Sequence, residues 1–298
     1  MRFLLILLST LLFTNKAIAN LNIVTTTSDL AYFAEKIGGD YVTVKSLARG
    51  NQDAHFLEPK PSYIVATNKA DLFIHNGLDL EIGWVPVLIN QARNPKIQNN
   101  QPGNLDASDG VSVIEKPDGI IDRSMGDVHP QGNPHYLLNP ENVLIVCSHI
   151  AKVLSQLDQD HAAVFQSNFN SYATHLNEKI KEWKTLGQTL NGKQIITYHK
   201  TFNYLTNWLN IKVAGYLEPK PGLPPTANHI MELTNTIKTQ NIKVIATEIY
   251  HEPKPGRELA LKTGIKALEW PTSVGGTAEV NTYEQLIDFL IIQLKDHL

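Results

Sequence analysis

The sequence contains a single cysteine, Cys147, among its 298 residues. One thiol cannot form an internal disulfide, so the fold must be held together by its apolar core. Cys147 lies in the apolar segment from Val143 to Val153, where we expect it to be a buried small side chain. Because no cysteine lies near the N-terminus, we expect no lipid anchor.

Clustered basic residues are also missing. The formal net charge is −3, with 26 basic and 29 acidic residues. Binding of nucleic acid requires a concentration of cations that neutralises phosphates. The composition therefore argues against nucleic acid as a partner.

Long apolar runs are absent except at the N-terminus. Arg2 is followed by the apolar run Phe3 to Phe13 and by the small residues Ala17-Ile18-Ala19, which is typical of a secretory signal peptide. The run is shorter than the roughly 20 residues that span a bilayer, so we expect no stable membrane insertion. We predict cleavage near Ala19/Asn20 and a soluble periplasmic protein.

One long helix organises the rest of the chain. From Asp160 to Gly192 an apolar residue recurs at every third or fourth position. Strand and helix signals alternate before this helix and resume in the same order after it. The pattern predicts an α/β fold of two lobes, each with a mostly parallel β-sheet flanked by helices, joined by one long rigid helix. The predicted division is signal peptide 1–19, N-terminal lobe 20–157, linking helix 158–192 and C-terminal lobe 193–298. A core helix of one large domain remains the alternative.

Short apolar segments bounded by turn residues predict four strands in each lobe. Residues 94–110 are rich in Asn, Gln, Pro and Gly, which predicts a surface loop. A second irregular stretch, 117–139, is long enough to suggest a functional loop. The predicted strands are Leu21–Thr25, Tyr41–Ala48, Asp71–His75, Val111–Ile114, Gln194–Tyr198, Lys212–Leu217, Lys243–Thr247 and Ile265–Trp270.

Three histidines follow predicted strands or lie in the long loop, and each has neighbours that stiffen the backbone. They are His55, His135 and His199. Imidazole is the commonest protein ligand for zinc and related metals. Ligands bind beyond the carboxyl ends of parallel strands, so these side chains could converge between the lobes. A single histidine would more often be an ordinary surface or core residue, and it is their placement that favours a metal site.

A resemblance to a known family is carried by four segments: Asp53 to Pro59, Asn133 to Pro140, Tyr198 to Tyr204 and Thr247 to His251. They resemble the successive signatures of the metal-binding solute-binding proteins of zinc and manganese ABC transporters, of the zinc-uptake type. The resemblance implies a rigid two-lobed fold without enzymatic turnover, a metal ion held between the lobes, and delivery of that ion to a membrane ABC permease. We also expect a monomer.

Carried over by position, His55, His135 and His199 match the three histidine ligands of the family. Many relatives supply a fourth ligand, an aspartate, from the loop after the last strand, but no Asp occurs here between residues 253 and 287. We predict Glu248 as the replacement, with Glu252 and water as rivals. Three imidazoles and a carboxylate suit Zn²⁺, and Mn²⁺ is the alternative because it prefers more oxygen ligands.

Other polar residues are candidates for supporting roles. His75 ends a predicted strand and could orient a ligand, or it could be an ordinary buried histidine. Glu58 and Glu252 are alternative ligands or outer partners. His129 is a further outer partner or alternative ligand. It is the only histidine of the long loop besides His135, where relatives often carry many, so we expect no strong secondary metal site.

A short repeat, Glu-Pro-Lys-Pro, begins at Glu58, Glu218 and Glu252. Each copy follows a strand or the loop that leaves it. Proline fixes φ and removes a hydrogen-bond donor, so we interpret the repeats as stiff connections, with direct ligand contact as the alternative.

Two further classes of function stay open. A zinc hydrolase would need an open coordination position and a general base such as Glu58 or Glu252, but no hydrolase motif supports it. A binder of a metal chelate or haem would need a larger and more aromatic cleft.

Overall fold

The computed structural model describes residues 20–119, 126 and 128–298. The predicted signal peptide, residues 1–19, lies outside these described residues. Two four-stranded parallel sheets form the two lobes, each flanked by helices, and one continuous helix runs between them. The predicted fold class is confirmed.

The first sheet has the strand order β2-β1-β3-β4, with every pair parallel. The change of direction in strand order falls between β1 and β3, where parallel sheets open a crevice at their carboxyl ends. The elements of this lobe are β1 Leu21–Thr25, α1 Ser28–Gly38, β2 Val42–Ser46, α2 Pro61–Asn68, β3 Leu72–His75, α3 Val85–Ala92, β4 Asn104–Asp106 and α4 Pro140–Leu157.

The second sheet repeats this plan in the order β6-β5-β7-β8, again with every pair parallel. The carboxyl ends of β5, β6 and β7 carry the residues that matter for the site. The elements are β5 Gln194–Thr197, α6 Asn203–Trp208, β6 Lys212–Tyr216, α7 Ala227–Thr239, β7 Val244–Glu248, α8 Lys254–Thr263, β8 Lys266–Trp270 and α9 Tyr283–His297.

The fourth strand of the first lobe lies elsewhere than predicted. Residues 111–114 form no strand, and β4 instead spans Asn104–Asp106 within the predicted surface loop, where it pairs with Phe73 to His75 of β3. The strand is only three residues long, and its polar sequence hides it from a search for apolar segments.

The linking helix, α5, spans Ala162–Gly187 and is extended by 3-10 turns at Gln159–His161 and Gln188–Leu190. It packs against α1 and α4 of the first lobe and against α9 of the second. Buried apolar side chains recur along it as the periodicity predicts, and they join the largest core cluster. These side chains are Phe165, Tyr172, Leu176, Ile180 and Trp183.

The lobes also contact each other directly. The Asp29 carboxylate accepts a hydrogen bond from the backbone N–H of Val274 at 2.8 Å, and Ser28 donates to the carbonyl of the same residue at 2.7 Å. Tyr283 donates to the carbonyl of Leu137 at 2.7 Å. Among the described residues, no helix has both the length and the apolar character needed to cross a bilayer.

Candidate metal centre

The three predicted histidines are delivered by three separate loops at the cleft. His55 lies in the loop between β2 and α2, and His199 follows β5 after one intervening residue. His135 directly precedes the 3-10 turn Tyr136–Leu138, which leads into α4. Two histidines therefore come from the first lobe and one from the second, as the strand ends predict.

These histidines converge. One ring nitrogen from each of His55, His135 and His199 lies within 4.8 Å of the others, and no other such group of His, Cys, Asp or Glu occurs in the described part of the chain. Ring centroids are 5.3 Å apart for His55 and His135, 5.5 Å for His135 and His199, and 6.0 Å for His55 and His199. Tetrahedral zinc with bonds of about 2.0 Å would bring ligand nitrogens to about 3.3 Å, so a small inward shift completes the geometry.

His55 is oriented by a carboxylate two residues before it. Its Nδ1 lies 2.6 Å from Asp53 Oδ1, and its backbone N–H donates to the same oxygen at 3.0 Å. Burial is the largest single influence and acts to raise the pKa of Asp53. The hydrogen bonds from His55 and the electrostatic attraction of His55 and His251 together outweigh it and keep that pKa below its usual value. Because a carboxylate accepts the Nδ1 proton, Nε2 of His55 presents a lone pair.

His199 has the same arrangement with a carboxylate from the next strand of the sheet. Its Nδ1 donates to Glu218, which follows β6. Burial is the largest single influence and acts to lower the pKa of His199. The Glu218 carboxylate, with Glu248 and Asp53, outweighs it and raises that pKa above its usual value. Both side chains are almost fully enclosed, with exposed fractions of 11% and 6%.

Asp53 and Glu218 were not predicted as site residues. Glu218 begins the second Glu-Pro-Lys-Pro copy, and the carboxylates that begin the other two copies, Glu58 and Glu252, are exposed. The repeat was therefore a usable signal, although only one of its three carboxylates reaches a histidine of the site. The Asp-x-His spacing at Asp53 and His55 was a second signal.

His135 has one ring nitrogen that is buried without a partner in the described part of the chain. Its Nε2 is inaccessible to solvent and has no hydrogen-bond partner among the described residues. Burial is the main cause that holds the pKa of His135 well below its usual value, and the neighbouring histidines act in the same direction. A neutral imidazole with an unpaired buried nitrogen is an unsatisfied polar group in a protein but a good ligand for a cation.

Glu248 lies at the end of β7, fully buried and close enough to His199 to interact electrostatically. Neither carboxylate oxygen completes a hydrogen bond with a described residue, although the hydroxyl of Thr201 lies nearby. Burial raises the pKa of Glu248 to about 7. Glu248 lies outside the three-histidine group, so its role as fourth ligand stays a prediction.

Two of the remaining candidates lie away from the three histidines. The Nε2 of His75 lies 3.1 Å from Asn104 Oδ1, and its ring stacks against Phe73. It lines a separate cavity of about 630 Å³ whose lining includes none of the three histidines. Glu252 accepts a hydrogen bond from the backbone of Lys254 in its own turn. His129, by contrast, touches the site, because its Nε2 lies 3.1 Å from Nε2 of His55.

The chain matches a known family over almost its whole length. The family described as the periplasmic zinc-uptake complex component A matches residues 23–297. A manganese ABC transporter substrate-binding lipoprotein of Streptococcus gordonii is 28% identical over 257 residues, which cover 85% of this chain and 79% of that protein. An iron ABC transporter substrate-binding lipoprotein of Streptococcus pyogenes serotype M1 is 27% identical over 250 residues, which cover 82% and 77%.

Solved structures agree with the fold. A crystal structure of ZnuA superimposes with a TM-score of 0.79 at 24% identity, covering 94% of this chain and 99% of that chain. A manganese-bound periplasmic metal-binding protein from Candidatus Liberibacter asiaticus gives a TM-score of 0.75 at 20% identity, covering 93% and 99%. At these identities the likeness establishes the fold alone.

Proposed function

Since the chain belongs to the zinc-uptake complex component A family, we propose that it captures a divalent transition metal ion between its lobes and delivers it to a membrane ABC permease. Members of the family are substrate-binding components of metal transporters, and the ion is their cargo. We propose that His55, His135 and His199 hold the ion. The fourth ligand is considered separately below.

The observation that carries this proposal is the convergence of three imidazoles from two lobes, with one buried nitrogen unpaired. Two of the rings are turned toward the common centre by carboxylates, the outer arrangement found around most histidine ligands in metal sites.

We propose zinc as the cargo, with manganese as the alternative. Imidazole nitrogen suits Zn²⁺, and sites for Mn²⁺ usually contain more oxygen ligands. The two relatives above are named for manganese and iron, so family membership leaves the ion open. The histidine-rich donor set supports zinc over manganese, because affinity for such donors rises from Mn²⁺ to Zn²⁺.

The cellular setting forms part of the same proposal. We propose that residues 1–19 direct export to the periplasm, and that the protein acts as a monomer without turnover. Residues 20–157 and 193–298 would form the two metal-binding lobes, joined by the linking helix 158–192.

The test is the metal content of the untagged protein, followed by competition among zinc, manganese and copper for the stripped protein. We expect one equivalent of tightly bound zinc and its loss in His199→Ala. Preference for manganese would overturn the choice of ion, and absence of any bound metal would overturn the proposed function.

A further inference from the structure

His129 lies at the three-histidine group although it belongs to the long loop before His135. Its Nε2 is 3.1 Å from Nε2 of His55, and the two ring centroids are 5.2 Å apart with the planes tilted by 33°. Two imidazoles at this distance either share a proton or face each other with two lone pairs. The hydrogen bonds made by the Nδ1 atoms of the two rings distinguish these two cases.

In each of the two rings, the nitrogen that faces away from the other ring already has a hydrogen-bond partner. The Nδ1 of His55 donates to Asp53, which leaves Nε2 of His55 as an acceptor. The backbone of Asp79 hydrogen-bonds to the His129 ring, and because Nε2 of that ring faces His55, this bond uses Nδ1. When both rings are neutral, each turns a lone pair toward the other, and a cation between the two nitrogens would remove the repulsion between these lone pairs.

The loop around His129 is tied to both lobes. Gln131 donates to the Asp79 carboxylate at 3.4 Å, and the N–H of Gly132 donates to the His129 carbonyl at 3.1 Å. On the other side, Gly126 lies so close to the second lobe that an added Cβ would come within 2.3 Å of the Pro221 carbonyl oxygen. The described part of the loop thus crosses the cleft and places His129 over the site.

A small cavity lies where the loop meets the site. It has a volume of about 40 Å³, and its lining includes His129, His135 and His199. A space of this size holds about one water molecule or one ion. His129 is not part of the three-histidine group, so its ring would move a short distance toward His135 and His199 when an ion enters.

We propose that His129 is the fourth ligand of the bound metal ion, in place of the aspartate that this chain lacks. The proposal rests on the proposed function above. It assigns the fourth position to His129 and gives Glu248 a different role. Four neutral imidazoles leave the charge of the ion uncompensated. The carboxylates of the partly buried Asp53 and of the buried Glu218 and Glu248 supply the balance.

The first test is the zinc dissociation constant of the full-length mature protein, measured by competition with a chelator of known affinity. Loss of even an outer partner costs about 10- to 100-fold in metal affinity, so we expect His129→Ala to weaken binding by at least about 100-fold. His175→Ala is the matched control, because His175 is an exposed histidine on α5. Glu248→Gln should change the constant by less than tenfold.

The second test counts imidazoles around zinc by X-ray absorption fine structure. We expect four in the parent and three in His129→Ala. Equal counts in the two proteins, or a zinc affinity of His129→Ala within tenfold of the parent, would overturn the proposal, as would a large loss confined to Glu248→Gln. If the parent itself bound no zinc, the proposed function would fail instead, and the two failures are therefore distinguishable.

Discussion

The Nδ1 of His199 donates a hydrogen bond to the buried carboxylate of Glu218, and the two residues follow the ends of neighbouring strands of the second sheet. The bond holds the ring in one orientation and raises the pKa of His199. In the metal-free protein the imidazole therefore retains a proton on Nε2 to a higher pH than usual. A metal ion replaces that proton while the Nδ1–H continues to bond Glu218.

Replacement of Glu218 should weaken the site without removing a ligand. We expect Glu218→Gln to reduce zinc affinity by about 10- to 100-fold, because the ring loses its charged acceptor. Glu58→Gln is the matched control, since Glu58 begins another copy of the same four-residue repeat and is exposed. Chelator competition measures both variants. Equal affinities in Glu218→Gln and the parent would contradict the outer role of this carboxylate.

The affinity for zinc should depend on pH between 6 and 8. Protons held by His199, whose pKa is raised, and by Glu248, whose pKa is about 7, are released when the ion binds. Affinity should therefore fall as pH decreases from 8 to 6, with a slope between about one and two log units per pH unit. His135 contributes nothing in this range because its pKa is lowered. A flat profile across this interval would argue against proton displacement.

Replacement of His135 should abolish tight binding but leave the metal-free fold intact. Its Nε2 has no partner to lose among the described residues, so unfolding of the metal-free His135→Ala variant should resemble that of the parent apart from the cost of the lost volume. Zinc at 100 times its dissociation constant stabilises a protein by about 2.7 kcal/mol, and this increment should vanish in the variant. Thermal unfolding with and without zinc measures it. A variant still stabilised by zinc would exclude His135 as a ligand.

The contact between Asp29 and Val274 yields a prediction about stability. Burial raises the pKa of Asp29 from 3.8 to about 6, so the folded state binds more protons than the unfolded state between these values. The free energy of unfolding therefore falls as pH rises through this window, on the order of 3 kcal/mol for this group. Asp29→Asn keeps an acceptor for Val274 and carries no charge, so it should be more stable than the parent at pH 7 and not at pH 4.

Urea unfolding at the two pH values tests this prediction, with the exposed Asp40→Asn as control. If the Asp29→Asn variant were less stable than the parent at pH 7, the prediction would be wrong. The hydrogen bonds to the ionised carboxylate would then stabilise the fold by more than its burial destabilises it.

Much of the fold could be predicted because its signals are local. The apolar spacing from Phe165 to Trp183 predicts α5, and the apolar strands predict both sheets. Strand β4 could not be predicted, since its three residues are stabilised by pairing with β3 rather than by their own pattern. The strand predicted at residues 111–114 is wrong for the opposite reason. This segment has the apolar pattern of a strand, but it packs against the core without pairing with a sheet.

Part of the candidate site could also be predicted from the sequence, and part could not. The convergence of His55, His135 and His199 follows from loop positions that the sequence contains. The pairing of His199 with Glu218 depends on which strands are neighbours, and β6 lies beside β5 only in the folded sheet. The 3.1 Å approach of His129 to His55 depends on how a long irregular loop crosses the cleft, which no periodic pattern encodes.

The continuous course of α5 has a consequence for the rate at which cargo leaves. Because this helix packs against elements of both lobes, wide opening of the cleft would break core contacts on at least one side. Dissociation should then proceed by stepwise exchange of single donor atoms, as in a small-molecule chelate, rather than by one opening event. A competing ligand that reaches one vacated position would accelerate release in proportion to its concentration, and a permease could draw the ion out in this way.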